Sequence, residues 1–145
     1  MASTGSSNDG WERQRVRLVS TARSTRPDQQ VSYTVTLEWG GTETVGSATG
    51  EQGDAVELRT AATAALAAVA GLVPAPIGLR LAGVKQLRAF DAELVVVSIH
   101  RLDAQPGNLV GAVVVAGPGP DNGARAAVAA VLNALNRLLD SHLAR

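Results

Sequence analysis

Few residues in this chain could carry chemistry. His100 and His142 are the only histidines and cysteine is absent. Two imidazoles without thiolates or a flanking carboxylate motif make a poor metal site. The lack of cysteine also excludes disulfide scaffolds and cysteine nucleophiles. His100 reads as a solvated residue at a strand end, and His142 as a cation near a helix C-terminus. No serine sits in a Gly-x-Ser-x-Gly elbow, and Gly46-Ser47-Ala48-Thr49-Gly50 reads as a small-residue strand end. The carboxylates are scattered, with no pair that stands out as acid and base. No glycine pattern matches a phosphate loop or a dinucleotide fingerprint. The expectation is therefore no enzyme, no metal and no cofactor.

Two glycine-rich stretches have a binding reading. Gly50, Gly53 and Asp54 close one, and Gly117, Gly119 and Asp121 the other. Backbone without a Cβ, placed at a helix N-terminus, can approach a ligand closely and offer N–H donors to a carboxylate or phosphate. The competing reading is a tight strand-to-helix turn, and Asp54 and Asp121 favour it against strongly anionic ligands because each already occupies the positive end. Arg13, Arg15, Arg17, Arg23 and Arg26 form the one local basic excess. Such a strand could follow a phosphate backbone. With Glu12 and Asp28 flanking it and no interleaved aromatics, it reads better as a charged edge strand that resists aggregation.

The elements that position these residues come from periodicity. A first strand is expected over Arg15–Ala22, with Arg15 and Arg17 on one face and Val16 and Leu18 on the other. Arg26-Pro27-Asp28 reads as a turn. Val31, Tyr33, Val35, Leu37 and Trp39 then alternate with Ser32, Thr34, Thr36 and Glu38, a strand with one wet face. Gly40-Gly41 is a hairpin turn, and Thr42–Thr49 returns. Asp54 is the expected N-cap of a helix whose stripe is Leu58, Ala62, Ala65, Leu66, Val69, Leu72 and Val73, ending by Pro74.

The series then repeats: strands over Leu81–Ala89, Glu93–Arg101 and Leu109–Ala116, with a turn over Asp103–Asn108. A loop spans Gly117–Gly123, and a helix runs from about Ala124 to His142 with Ala127, Val128, Val131, Leu132, Leu135, Leu138 and Leu139 as its stripe. Val45-Gly46-Ser47-Ala48 matches Val110-Gly111-Ala112-Val113, and Ala65-Leu66 and Leu72-Val73 match Val131-Leu132 and Leu138-Leu139. A repeat of this kind sets the architecture. The expected fold is α+β: a duplicated strand–strand–strand–helix unit forming a six-stranded antiparallel sheet with two helices on one face. The expected layout is a disordered arm over 1–12 and one domain over 13–145, with units 13–73 and 81–143 joined by a linker over 74–80.

Length and composition agree. A chain of 145 residues can bury a core without staples. Formal net charge is zero, which gives no general pull toward nucleic acid or anionic lipid. Residues 1–10 have neither a basic region nor an apolar stretch, so no signal peptide is expected, and no apolar run is long enough to span a bilayer. A cytoplasmic protein is the expectation. The two units differ in one respect. Leu94, Val95, Val96, Val97 and Ile99, with Val110, Val113, Val114 and Val115, put apolar side chains on both faces of the second sheet. Such a sheet needs a second cover, and a second copy packed through an isologous interface supplies one.

The closing run Ala126-Ala127-Val128-Ala129-Ala130-Val131-Leu132-Asn133-Ala134-Leu135-Asn136-Arg137-Leu138-Leu139, with Gly50 through Asp54-Ala55 before the first helix, resembles the C-terminal regulatory domain of the α-isopropylmalate synthase family. The resemblance covers roughly residues 15–143. It implies two strand–strand–strand–helix units and an end-product amino acid held at a dimer interface. The family's catalytic barrel, with its metal-binding residues, has no counterpart here. The resulting expectation is a stand-alone, non-catalytic, homodimeric domain that binds a small carboxylate or amino acid through Gly50, Gly53, Asp54, Gly117, Gly119 and Asp121. The alternatives are an accessory subunit that docks a protein partner through its apolar sheet face, and a nucleic-acid-associated protein that uses the arginine strand.

Overall fold

The computed structural model describes residues 16–73, 78–102, 107–117 and 120–143. The N-terminal arm, Pro74, the first part of the linker, most of the 103–108 turn and Gly119 lie outside them. The element order is β1 (Arg17–Arg26), β2 (Gln30–Trp39), β3 (Thr42–Glu51), α1 (Asp54–Ala70), β4 (Leu79–Ala89), β5 (Ala92–Arg101), β6 (Gly107–Val114) and α2 (Pro120–Leu143). The chain is α+β and internally duplicated, as its periodicity indicates. No helix among the described residues is long and apolar enough to cross a membrane.

The six strands do not form one sheet. They form two three-stranded antiparallel sheets, ordered β1-β2-β3 and β4-β5-β6. Each helix covers its own sheet and also crosses to the other unit: α1 packs on β2, β3, β4 and α2, and α2 packs on β5, β6 and β1. Arg59 of α1 donates to the Leu81 carbonyl of β4 at 3.4 Å. A β-bulge at Leu18/Ser20 in β1 recurs at Leu81/Gly83 in β4. A bulge raises the local twist and turns an edge away from further pairing, which is consistent with two ladders rather than one.

A single apolar core runs through both units. Val31, Tyr33, Val35 and Leu37 enter it from β2, and Val95, Val97 and Ile99 from β5. Full burial of each aliphatic side chain is worth about 1.5–3 kcal/mol. The helices reach the sheets closely because both partners are small. Gly46 of β3 faces Ala64 and Ala68 of α1, and Gly111 of β6 faces Ala130 and Ala134 of α2. These contacts are equivalent in the two units.

Two local expectations change. Gly53, with φ of 137°, takes the N-cap position assigned to Asp54, which becomes the first helical residue. The second helix begins at Pro120, inside the expected 117–123 loop, because proline has no N–H to orphan there and its φ already suits a first turn. The hairpins also differ. Asp28 and Gln29 turn β1 into β2 with φ of 66° and 60°, Phe90 and Asp91 turn β4 into β5 with φ of 53° and 64°, and Gly40 and Gly41 turn β2 into β3 with φ of 59° and 83°. Left-handed backbone costs a residue with a Cβ about 1–2 kcal/mol.

Candidate functional site

A cleft of about 570 Å³ lies where the units meet, beside the N-terminal ends of both helices. Arg23 of β1, Tyr33 of β2 and Asp54, Glu57 and Leu58 of α1 form one wall; Gln86, Glu93, Val115, Gly117, Gly123 and Ala124 form the other.

The first wall is held by an ionic network centred on Glu57. Arg23 donates from Nε to Glu57 Oε1 at 2.8 Å and from a terminal nitrogen to Oε2 at 3.3 Å. The Tyr33 hydroxyl donates to Oε1 at 2.8 Å. The Gly53 N–H donates to Oε2 at 3.0 Å, so Glu57 also caps α1 in the manner of a capping box. Paired with the Arg23 guanidinium and bonded to the Gly53 amide and Tyr33, the Glu57 carboxyl falls to about 2. Burial, together with the adjacent carboxylate, pushes Tyr33 up to about 12. The same carboxylate raises Arg23 above the usual guanidinium value. At neutral pH all three groups are held in one protonation state, which suits fixed geometry rather than proton transfer.

Arg23 reaches this wall because of the bulge in β1. Before it, Arg17 pairs with Glu38 and Leu18 with Leu37; after it, Thr21 pairs with Val35 and Arg23 with Tyr33. One extra residue exchanges the faces on which odd and even positions lie. Arg17 therefore meets Glu38 on the outer face at 3.3 Å, while Arg23 turns inward.

The second wall is the structural counterpart of the first with different chemistry. At the positions of Arg23, Tyr33 and Glu57 the second unit has Gln86, the fully buried Val95 and Gly123. Gly123 puts no side chain where Glu57 stands. Gln86 donates instead to Glu93 at 3.1 Å, and Arg88 donates to the same carboxylate at 3.3 Å. The cleft thus has carboxylates at Asp54 and Glu93, an amide at Gln86, apolar surface at Leu58, Val115 and Ala124, loop backbone at Gly117, whose N–H donates to the Val115 carbonyl at 3.1 Å, and first-turn backbone of α2 at Gly123. Among the described residues no group of three His, Asp or Glu is placed to hold a metal ion.

Of the residues expected from sequence, Asp54 and Gly117 line this cleft. Asp121 lines a smaller recess of about 100 Å³ beside it, with Thr21, Arg23, Tyr33, Ala124 and Arg125. Gly50 instead faces the Thr60 side chain of α1, and Gly53 serves as the cap. Gly119 lies outside the described residues. Tyr33 and Glu57 are not among the residues expected from sequence. Tyr33 was legible as a polar-tipped residue in the middle of the apolar face of β2, and Glu57 as an acid three residues after Asp54. Neither a protein-family model nor a curated protein sequence matches the chain.

Proposed function

We propose that the chain is a non-catalytic regulatory domain of the cytoplasm that binds a small amino acid or carboxylate in the cleft between its two units and acts as a homodimer. Its resemblance to the regulatory domain of the α-isopropylmalate synthases is part of this proposal. The cleft is the observation that carries it. A volume of about 570 Å³ lies within the roughly 300–1,000 Å³ common for small-molecule sites. Its mixed lining offers carboxylates for an ammonium group, the first-turn backbone of α2 at Gly123 for a carboxylate, and Leu58, Val115 and Ala124 for an aliphatic chain. The Glu57 network holds one wall still, so a ligand would meet a site that is already shaped.

A thermal-shift screen over amino acids and related carboxylates tests the reading. A ligand present at about a hundredfold over its Kd should raise Tm by roughly 5–10 °C. Gly123→Leu, which fills the cleft at a helical position, should keep the fold and abolish the shift. A broad panel without any shift, or a shift that survives Gly123→Leu, overturns ligand binding in this cleft.

A second reading, an accessory subunit that docks a different protein, is favoured by the exposed Val110 and Val114 on the outer face of the second sheet. Nucleic-acid association through β1 has less support, because Arg17 and Arg23 are engaged by Glu38 and Glu57.

A further inference from the structure

We infer that the outer face of the β4-β5-β6 sheet is a self-docking surface. Two copies pack face to face about a two-fold axis running along β5, and Phe90 of each meets Phe90 of the other. This rests on the homodimeric reading above and adds where and how the copies meet.

The face is apolar in its middle and basic along one side. Its cross-strand rows are Leu87–Leu94–Val114, Lys85–Val96–Ala112, Gly83–Ser98–Val110 and Arg80–His100–Asn108. Val110 and Val114 are 61% and 56% exposed, and Phe90 at the hairpin tip is 102% exposed. The matching face of the first sheet carries Ser32, Thr34 and Thr36 opposite Thr49, Ser47 and Val45. Ser32 and Thr49 hydroxyls bond at 2.7 Å, and Thr34 and Ser47 at 3.1 Å. Apart from Val45, which is 59% exposed, that face is polar, whereas the second is apolar over Leu87, Leu94, Val96, Val110 and Val114.

The rows are complementary to themselves when β4 of one copy lies over β6 of the other. Leu87 then meets Val114, the long Lys85 spans the small Ala112, and Val110 enters the space above Gly83, where an added Cβ would meet nothing within 4 Å. The opposite choice, strands reversed with β4 over β4, stacks Lys85 on Lys85 across a dry interface, which is unfavourable. An axis along β5 also brings the two hairpin tips together.

Area singles out Phe90. Three strands of about 8 residues, at ~3.3 Å per residue and ~4.8 Å per strand, cover roughly 380 Å² per copy, or about 760 Å² for both. A specific interface needs about 1,000 Å² or more. Two phenylalanines at roughly 150–250 Å² each carry the sum past that mark. At the equivalent β1–β2 turn the left-handed positions are held by the polar, exposed Asp28 and Gln29, whereas the β4–β5 turn keeps a left-handed, fully exposed phenylalanine. A role in contact with another molecule accounts for it.

Sedimentation equilibrium on the full chain, with Phe90→Asn and Val110→Glu as variants, tests the surface. Asparagine tolerates the left-handed turn, so Phe90→Asn should melt at or above the wild-type monomer temperature while losing the contact. The wild type should be a dimer. Each variant, present twice per dimer and worth about tenfold or more per copy, should weaken the Kd at least about 100-fold. Wild-type dimers unmoved by either variant overturn this surface and leave the homodimer standing. A wild type that is monomeric at ~100 μM, well above the Kd of a specific complex of this size, overturns both.

Discussion

Replacing Gly111 by alanine should destabilise the protein by about 3 kcal/mol or more, at the upper end of overpacking effects, and Gly46→Ala should do the same. A Cβ at Gly111 would stand far inside contact distance of the Ala130 carbonyl oxygen and the Ala134 amide nitrogen. At Gly46 it would meet the Ala64 carbonyl and the Ala68 amide. These atoms are helix backbone, which cannot swing aside as a side chain can. Either α2 must lift from β6 or α1 from β3, and the lift exposes the alanine and valine surface that forms the core. The comparison is Gly107→Ala, at a β6 position where an added Cβ meets nothing within 4 Å; it should stay within about 0.5 kcal/mol of wild type, as surface changes do. Urea denaturation followed by circular dichroism reads all three. If Gly111→Ala unfolds at the wild-type midpoint, the helix does not sit against the strand as described.

The second large effect is expected at Glu57. Glu57→Gln keeps the shape of the side chain but places an amide donor against other donors, from the Gly53 N–H and Arg23. A loss of about 1–3 kcal/mol is expected from the half-buried groups left without an acceptor. Tyr33→Phe should cost less, about 1 kcal/mol, since it removes a single hydrogen bond. The pH dependence gives a sharper test. The Glu57 carboxyl lies at about 2 in the fold against an ordinary value of 4.5. A depressed carboxyl contributes stability that is fully present above its unfolded pKa and is lost as pH falls through its folded pKa. Wild-type stability should therefore decline between about pH 4.5 and about pH 2, and part of that decline should be missing in Glu57→Gln. Parallel acid-denaturation curves for the two proteins would show that the network does not couple to folding.

Much of the fold is legible along the chain. The alternation of Val31 to Trp39, the Gly40-Gly41 turn and the stripes of Leu58 to Val69 and Ala127 to Leu139 depend on side-chain period alone, and period follows from local backbone geometry. The duplication is legible for the same reason. So is the apolar character of both faces of β5, which places Val95, Val97 and Ile99 in the core and leaves Leu94 and Val96 on the outer side. The end of each helix is less legible. Gly53 displaces Asp54 from the cap because Glu57 reaches back from the first turn, an interaction visible only once the turn exists.

The candidate site is of a different kind. Asp54 and Gly117 are far apart in sequence and come together only because the two helices pack on one another. Arg23 was grouped with Arg15 and Arg17 by spacing, and strict alternation would keep it on their face. The bulge at Leu18/Ser20 reverses that phase and delivers Arg23 to Tyr33 and Glu57. Bulges answer to the twist a strand needs against its neighbours, which no local pattern records.

The separation into two sheets is likewise a tertiary outcome. Six strands satisfy their side-chain period equally well in one ladder or in two, and the bulged edges of β1 and β4, with α1 crossing onto β4 and α2 onto β1, go with the two-sheet arrangement. By itself, then, the sequence determined the elements, their order, their duplication and the apolar outer face of the second sheet, because each depends on neighbours along the chain. Tertiary structure alone decided that the sheets are separate, that Arg23 turns inward, and that the two units leave a cleft between unlike walls. Those features depend on which surfaces meet when two similar units share one core.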